Sequence, residues 1–204
     1  MINGFFRILY SVTKNRKIPL PGLLRDHQSI PDPNHPRWAG VLCLFYPNLN
    51  GKTQFVLIRR QSDGGPHSGQ VSFPGGRRDH DEVDLSMTAL RECEEEIGVP
   101  REIIELIKPM SKLYIPPSDY WVQPFIALTH RVPEFFLQAE EVAGIIEVPA
   151  KDLFANLHLT MEIIQTPSFG SVNVPVFDFQ GNRVWGATAL MLYEMRQLIG
   201  QIIS

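Results

Sequence analysis

Residues 73–99 read F-P-G-G-R-R-D-H-D-E-V-D-L-S-M-T-A-L-R-E-C-E-E-E-I-G-V, with four glutamates gathered at the end of one predicted helix behind a Gly-Gly turn. At about 100° per residue, Glu95 and Glu96 fall within roughly 60° of Glu92 on either side, while Val83, Met87, Leu90, Cys93 and Ile97 cluster opposite. Glu94 falls on the apolar side. Three carboxylates on one face could hold a divalent cation, which takes oxygen ligands. A run of this kind is ordinarily a solvated acidic face, where like-charge neighbours cost only about 0.2–0.5 kcal/mol per pair. Partly buried, at an effective dielectric near 20, a pair about 6 Å apart would cost closer to ~3 kcal/mol, and there a cation relieves the repulsion.

The flanking residues favour the second case. Gly75 and Gly76 permit a close backbone turn, Gly98 can end the helix in a left-handed conformation, and Arg91 stands beside the acids as a fixed positive partner. Here the chain resembles the Nudix hydrolases, whose signature is Gly, five residues, Glu, seven residues, then Arg-Glu-hydrophobic-x-Glu-Glu-x-Gly-hydrophobic. Residues Arg91 to Val99 match its second half in full. Eight residues rather than seven separate Glu82 from Arg91, so Glu82 is not given the role of the signature's first glutamate.

That expansion, with G-G-x-x-D before it and T-A-L-R-E after it, is similar to the coenzyme A pyrophosphatase branch of the family. Four further segments agree with it. They are residues 56–76 (V-L-I-R-R through F-P-G-G), 117–125 (P-S-D-Y-W-V-Q-P-F), 141–149 (E-V-A to E-V-P) and 184–189 (V-W-G-A-T-A). Gln61 stands where that branch has Ser or Ala, and Gly65 where it has a second Arg. Losing that Arg removes one always-charged phosphate donor from the loop.

The resemblance implies an α/β/α sandwich with a mixed sheet and hydrolysis of a diphosphate linkage, with coenzyme A or its acyl thioesters as substrate. ADP-ribose, dinucleotides or nucleoside triphosphates are the alternative substrates, and a binding module without turnover is a further one. It also implies that Glu92, Glu96 and Glu95 hold Mg²⁺ or Mn²⁺ and that Arg91 orients a carboxylate. Glu141 is the candidate general base, with Glu140 and Glu95 as competitors; Asp79, Asp81 or Glu82 either shape the metal shell or serve as turn and cap residues. Arg60 is the candidate phosphate contact, Arg59 and His67 could replace the missing Arg, and Gly75 and Gly76 bring backbone close to substrate. Tyr120 and Trp121 are candidate contacts for adenine or pantetheine, or core residues, whereas Phe73 and Trp185 read as packing.

Stepping outward, 204 residues with 44% apolar content suffice for one substantial core, so a single domain is expected: an N-terminal helix and proline-rich connector over 1–37, then a catalytic core over 38–204. A net charge of −3 without a basic stripe disfavours nucleic acid. No apolar run reaches the ~18 residues of a membrane span. Cys43 and Cys93 sit in apolar contexts, predicting buried free thiols and a reducing, cytoplasmic setting; the bases of the first 17 residues, with no acid before Asp26, leave a mitochondrial presequence as the minor alternative. The expected partner is a small, coenzyme A-like nucleotide, with a homodimer left open.

The pattern predicts strands over 38–46, 54–60, 107–114, 121–129, 144–148, 159–165, 172–179 and 183–185. It predicts helices ending near Gly98, over 151–157 and over 190–203, with a polar loop suited to a mobile lid at 61–68.

Overall fold

Two long apolar runs build the centre of the sheet. β1 (Arg37–Pro47) and β2 (Thr53–Arg60) are joined through a turn in which Asn48 accepts the backbone N–H groups of Asn50 and Lys52. The computed structural model describes residues 36–62, 64, 67–116, 118–166 and 170–203 together with Phe5. The expected N-terminal helix and connector lie outside the described residues, as does Gly65.

β1 pairs with β2 only at its far end, Phe45 to Pro47. Over Ala39 to Val41 its partner is instead β4 (Gly75–Arg77), and β3 (Val71–Ser72) lies on β2. The segment before the acidic helix is thus wedged between two diverging strands. Gly75 and Gly76, expected to form a turn, are part of this short strand. The helix α1 (Leu85–Ile97) follows, capped by Asp84, whose carboxylate accepts the N–H groups of Ser86 and Met87. It ends at Gly98, left-handed at φ 74°, whose N–H returns to Glu94 O.

The sheet continues through β5 (Glu105–Pro109), β6 (Leu113–Ile115), β7 (Tyr120–Leu128) and β8 (Val142–Pro149). β1 and β7 are parallel, whereas the other pairs are antiparallel, so the sheet is mixed. The single strand expected over 107–114 is two, both on β7. Pro109 cannot donate to a ladder, the Met110 N–H still reaches the Pro124 carbonyl of β7 at 2.9 Å, and the N–H of Ser111 turns away to the Glu194 carboxylate at 3.0 Å. A second sheet, β9 (Leu159–Thr166), β10 (Gly170–Phe179) and β11 (Asn182–Val184), precedes the closing helix α2 (Gly186–Ile203). The short helix expected over 151–157 is two separate 3-10 turns, 150–153 and 156–158, and α2 begins four residues before the expected start.

Two cores result. Leu42, Leu44, Tyr46, Val56 and Ile58 meet Ala89, Cys93 and Ile97 of α1 on one face. Cys43, Phe45, Phe55, Leu57 and Ile126 meet Phe177, Phe179, Leu192 and Met195 on the other. This is the α/β/α sandwich of the sequence reading, with the small sheet sharing the second face. The wheel needs correction at its start: Val83 precedes the helix and is 81% exposed, and Met87 is 44% exposed, while Thr88 and Ala89 are buried. Both cysteines are buried free thiols, and burial raises the pKa of each. No helix among the described residues is long and apolar enough to cross a membrane.

Candidate active site

Close approach of α1 to the sheet sets the site. Gly40 of β1 lies under the helix, where a Cβ would collide with the backbone carbonyl of Leu85 and sit 3.0 Å from Ala89 N. Gly76 plays the same part toward a side chain: a Cβ there would lie 2.5 Å from the carboxylate carbon of Glu92. Glycine lets the carboxylates lie directly over backbone.

Glu96 is almost wholly buried at 2% exposure, so the acidic face is not simply solvated. One oxygen accepts the Gly75 N–H at 2.8 Å and the other meets Arg60 Nη1 at 3.3 Å. Burial pushes its pKa up to about 8, with the Gly75 N–H and Arg60 opposing and Glu92 and Glu141 adding to the rise. Glu92 is raised in the same direction, chiefly by burial and then, against Arg91, by Glu95 and Glu141.

Arg91 is the hub. Its Nε donates to Glu82 at 2.9 Å, its Nη1 to Glu92 at 2.9 Å and Glu95 at 2.8 Å, and its Nη2 to the Arg77 carbonyl at 3.0 Å. Every edge of the guanidinium is spent on positioning. Glu82, which spacing alone had set aside, is the innermost of these partners, 7% exposed. It also accepts the Asp79 N–H at 2.8 Å and the Thr88 hydroxyl at 2.7 Å. Burial alone would raise its pKa; Arg91 and these two donors together hold it below the usual carboxylate value. The chain bends at residues 83 and 84, ahead of the helix, and Glu82 reaches back to Arg91. Asp79 lies 3.7 Å from Arg91 Nε and is half exposed.

These groups open on a cleft of about 1040 Å³. Arg60, His67, Gly75, Gly76, Arg91, Glu92, Glu95 and Glu141 all contribute to its wall. Glu140 does not line it. Arg59 does not line it either: its guanidinium is held by the Asn182 side chain at the β10–β11 turn. His67 is on the wall, its Nδ1 3.2 Å from Gln70 Oε1. Ser72 is there too, its buried hydroxyl without a partner among the described residues. Gln61, the residue that departs from the branch pattern, ties two segments together. Its amide donates to Ala139 O at 2.7 Å and its N–H to Glu141 O at 2.8 Å, fixing the backbone that carries Glu141. Tyr120 and Trp185 line the cleft, as does the otherwise buried Phe73, whereas Trp121 stacks on Trp38.

Among the described residues no three His, Cys, Asp or Glu groups converge closely enough to enclose a cation as they stand. The donor set nevertheless fits a hard ion. Magnesium keeps several waters and needs only one or two carboxylates directly, and two raised carboxylates held over glycine backbone are stabilised by a neighbouring positive charge.

The NUDIX domain model matches residues 36–168, spanning β1 to β9 and the whole carboxylate cluster. The chain belongs to the Nudix family. It is 31% identical over 162 residues to uncharacterised Nudix hydrolases NudL of Yersinia pestis (strain Pestoides F) and Yersinia pseudotuberculosis (serotype O:1b), covering 78% of this chain and 76% of each relative. In fold it is similar to a MutT/nudix family protein from Enterococcus faecalis, with a TM-score of 0.52 at 17% identity, covering 87% of this chain and 71% of that one. As a Nudix hydrolase it is an enzyme of the pyrophosphatase class, a class that uses divalent metal ions.

Proposed function

We propose that this Nudix protein hydrolyses the diphosphate of coenzyme A or an acyl-coenzyme A, giving 3′,5′-adenosine bisphosphate and the (acyl-)4′-phosphopantetheine. The observation that carries the reading is the continuity of the cleft. The Arg91-centred carboxylates stand at one part of its wall. Ala39, Val41, Leu113, Val122, Val174 and Leu190 line another, giving the remainder of a long, partly apolar substrate a place to lie. The coenzyme A branch segments around residues 56–76 and 117–125 border this same space.

A diphosphate is anionic and resists attack by water, so charge must be neutralised and the water positioned. Glu92 and Glu96, with Glu95 beside them, would hold Mg²⁺ or Mn²⁺, which supplies charge neutralisation and a more acidic water. Arg91 fixes Glu92 and Glu95 from behind, and Glu82 fixes Arg91. Arg60, 32% exposed and anchored by Glu96 at one nitrogen, turns its remaining donors to a substrate phosphate. Glu141 takes the proton from the attacking water; it lines the cleft and its field is felt by both Glu92 and Glu96, which Glu140 does not share. The test is a panel of coenzyme A, acyl-coenzyme A, ADP-ribose, a dinucleotide and a nucleoside triphosphate with Mg²⁺ or Mn²⁺, products identified by mass. Release of 3′,5′-adenosine bisphosphate with the highest kcat/KM on the coenzyme A substrates is expected. A clearly higher kcat/KM on ADP-ribose or a nucleotide would replace the substrate and leave the diphosphate chemistry standing.

A further inference from the structure

Two arginines on the cleft wall have no acidic partner among the described residues. Arg77 follows Gly76 in β4; Gly76 faces Glu92, so alternation along the strand sends Arg77 to the opposite face of the sheet. There it pairs in register with Ala39 of β1, and Arg37 is two residues back along that strand. Such diagonal neighbours lie about 7–8 Å apart, within reach of two long side chains converging on one group. Both residues are exposed, and both line the cleft that holds Glu92 and Glu141.

Arg37 is held ready rather than neutralised. Its Cζ sits 4.1 Å over the Tyr120 ring, its Nη2 donates to the Tyr120 hydroxyl at 2.7 Å and its Nη1 to the Ser118 carbonyl at 3.2 Å. All three contacts are uncharged, so they fix the plane of the guanidinium while leaving its charge and its other donors uncommitted. Arg77 makes no side-chain hydrogen bond or ion pair among the described residues. Its neighbour Arg78 behaves differently, spending its guanidinium on the carbonyls of Glu82 and Val83. Arg60 and Arg91, the other arginines on the wall, are committed to carboxylates.

We infer that Arg37 and Arg77 form a second anion site, which recognises a phosphate monoester carried by the substrate apart from the diphosphate that is cleaved. Two planar forks suit a tetrahedral dianion better than a lone carboxylate, and the opposite sheet face keeps the site clear of the carboxylate cluster. In the substrate class proposed above this group is the phosphate on the ribose 3′-hydroxyl, so the inference rests on that reading. It also supplies the second cation that the loop around Gly65 lacks.

The experiment compares binding of 3′,5′-adenosine bisphosphate and adenosine 5′-monophosphate to the full chain by calorimetry, for wild type, Arg37→Ala and Arg77→Ala. Wild type is expected to prefer the bisphosphate by about tenfold or more, the scale of one charged hydrogen bond. Each variant should cut that preference below about threefold, with its monophosphate affinity changed far less. Arg77→Ala removes no internal bond, so it remains informative if Arg37→Ala folds poorly. Equal wild-type affinity for the two nucleotides, or a parallel loss of both in the variants, overturns the site. The ratio is read without turnover, so failure of coenzyme A hydrolysis and failure of this site are separate results. Where coenzyme A is hydrolysed, the KM ratio of coenzyme A to dephospho-coenzyme A should move as the binding ratio does.

Discussion

Glu96 answers two opposed demands: the fold buries it, which favours the neutral acid, and the proposed chemistry needs its charge. Glu96→Gln keeps an oxygen for the Gly75 N–H while removing that charge, so kcat is expected to fall more than tenfold with the fold intact by circular dichroism. A variant keeping more than about a tenth of wild-type kcat would remove Glu96 from the metal-binding role. Glu82 predicts a different signature because it acts through Arg91. Glu82→Gln weakens a buried ion pair and is expected to lower stability by about 2 kcal/mol in urea unfolding, with kcat reduced through the loosened Glu92 and Glu95. Unchanged stability would show that Arg91 is held by its other partners alone.

Packing of α1 on the sheet makes glycine a requirement at two positions of ordinary backbone. Gly40→Ala forces the helix outward against backbone atoms that cannot yield, with an expected loss of about 1–3 kcal/mol and of activity together. Gly76→Ala has its three nearest contacts with the Glu92 carboxylate, a side-chain end rather than backbone, so activity should fall while the melting temperature changes little; an active Gly76→Ala protein would refute the close contact. Much of this was legible in the chain. The acidic helix face, the Gly98 stop and most strands follow from periodicity and turn residues, whereas the roles expected of the carboxylates and Arg91 came from the resemblance to the Nudix signature. Glu82 was left between the metal shell and a turn or cap because spacing counts residues along a chain and does not show the bend before Asp84 from which Glu82 reaches Arg91. Adjacent strand residues face opposite ways, and only the folded register shows that Arg60 turns to Glu96 while Arg59 turns to Asn182. Gly40 did carry a signal, since glycine inside a buried strand marks close approach, but Arg37 and Arg77 carried none until the register joined them.

At the scale of the molecule, binding of Mg²⁺ or Mn²⁺ to the folded state alone should stabilise it by about 2.7 kcal/mol at a hundred times Kd, and Glu96→Gln should abolish most of that shift in a melting experiment. Glu194 of α2 gives a pH signature far from the cleft acids. Burial raises its pKa from 4.5, with the Ser111 N–H and Lys108 opposing. The folded value exceeds the unfolded one, so the contribution is complete below about pH 4.5 and is lost as pH rises through the raised value. Glu194→Gln, which keeps an acceptor for Ser111, should therefore gain stability over wild type progressively above that pH in urea midpoints. A constant difference across the range would show that Glu194 titrates normally. The cleft itself draws on several stretches of chain: Glu92, Glu95, Glu141 and Arg91 come from α1 and the entry to β8, Arg37 and Arg77 stand on β1 and β4, and one part of the wall, from Ile164 to Met191, comes from the second sheet and α2. That last part of the wall is consequently separable from the carboxylates as a unit of inheritance, whereas Arg37 and Arg77 are not. A chimaera exchanging residues from β9 onward for those of a relative would be expected to change how the apolar part of a substrate is accommodated, while the reaction and the preference between 3′,5′-adenosine bisphosphate and adenosine 5′-monophosphate stay the same.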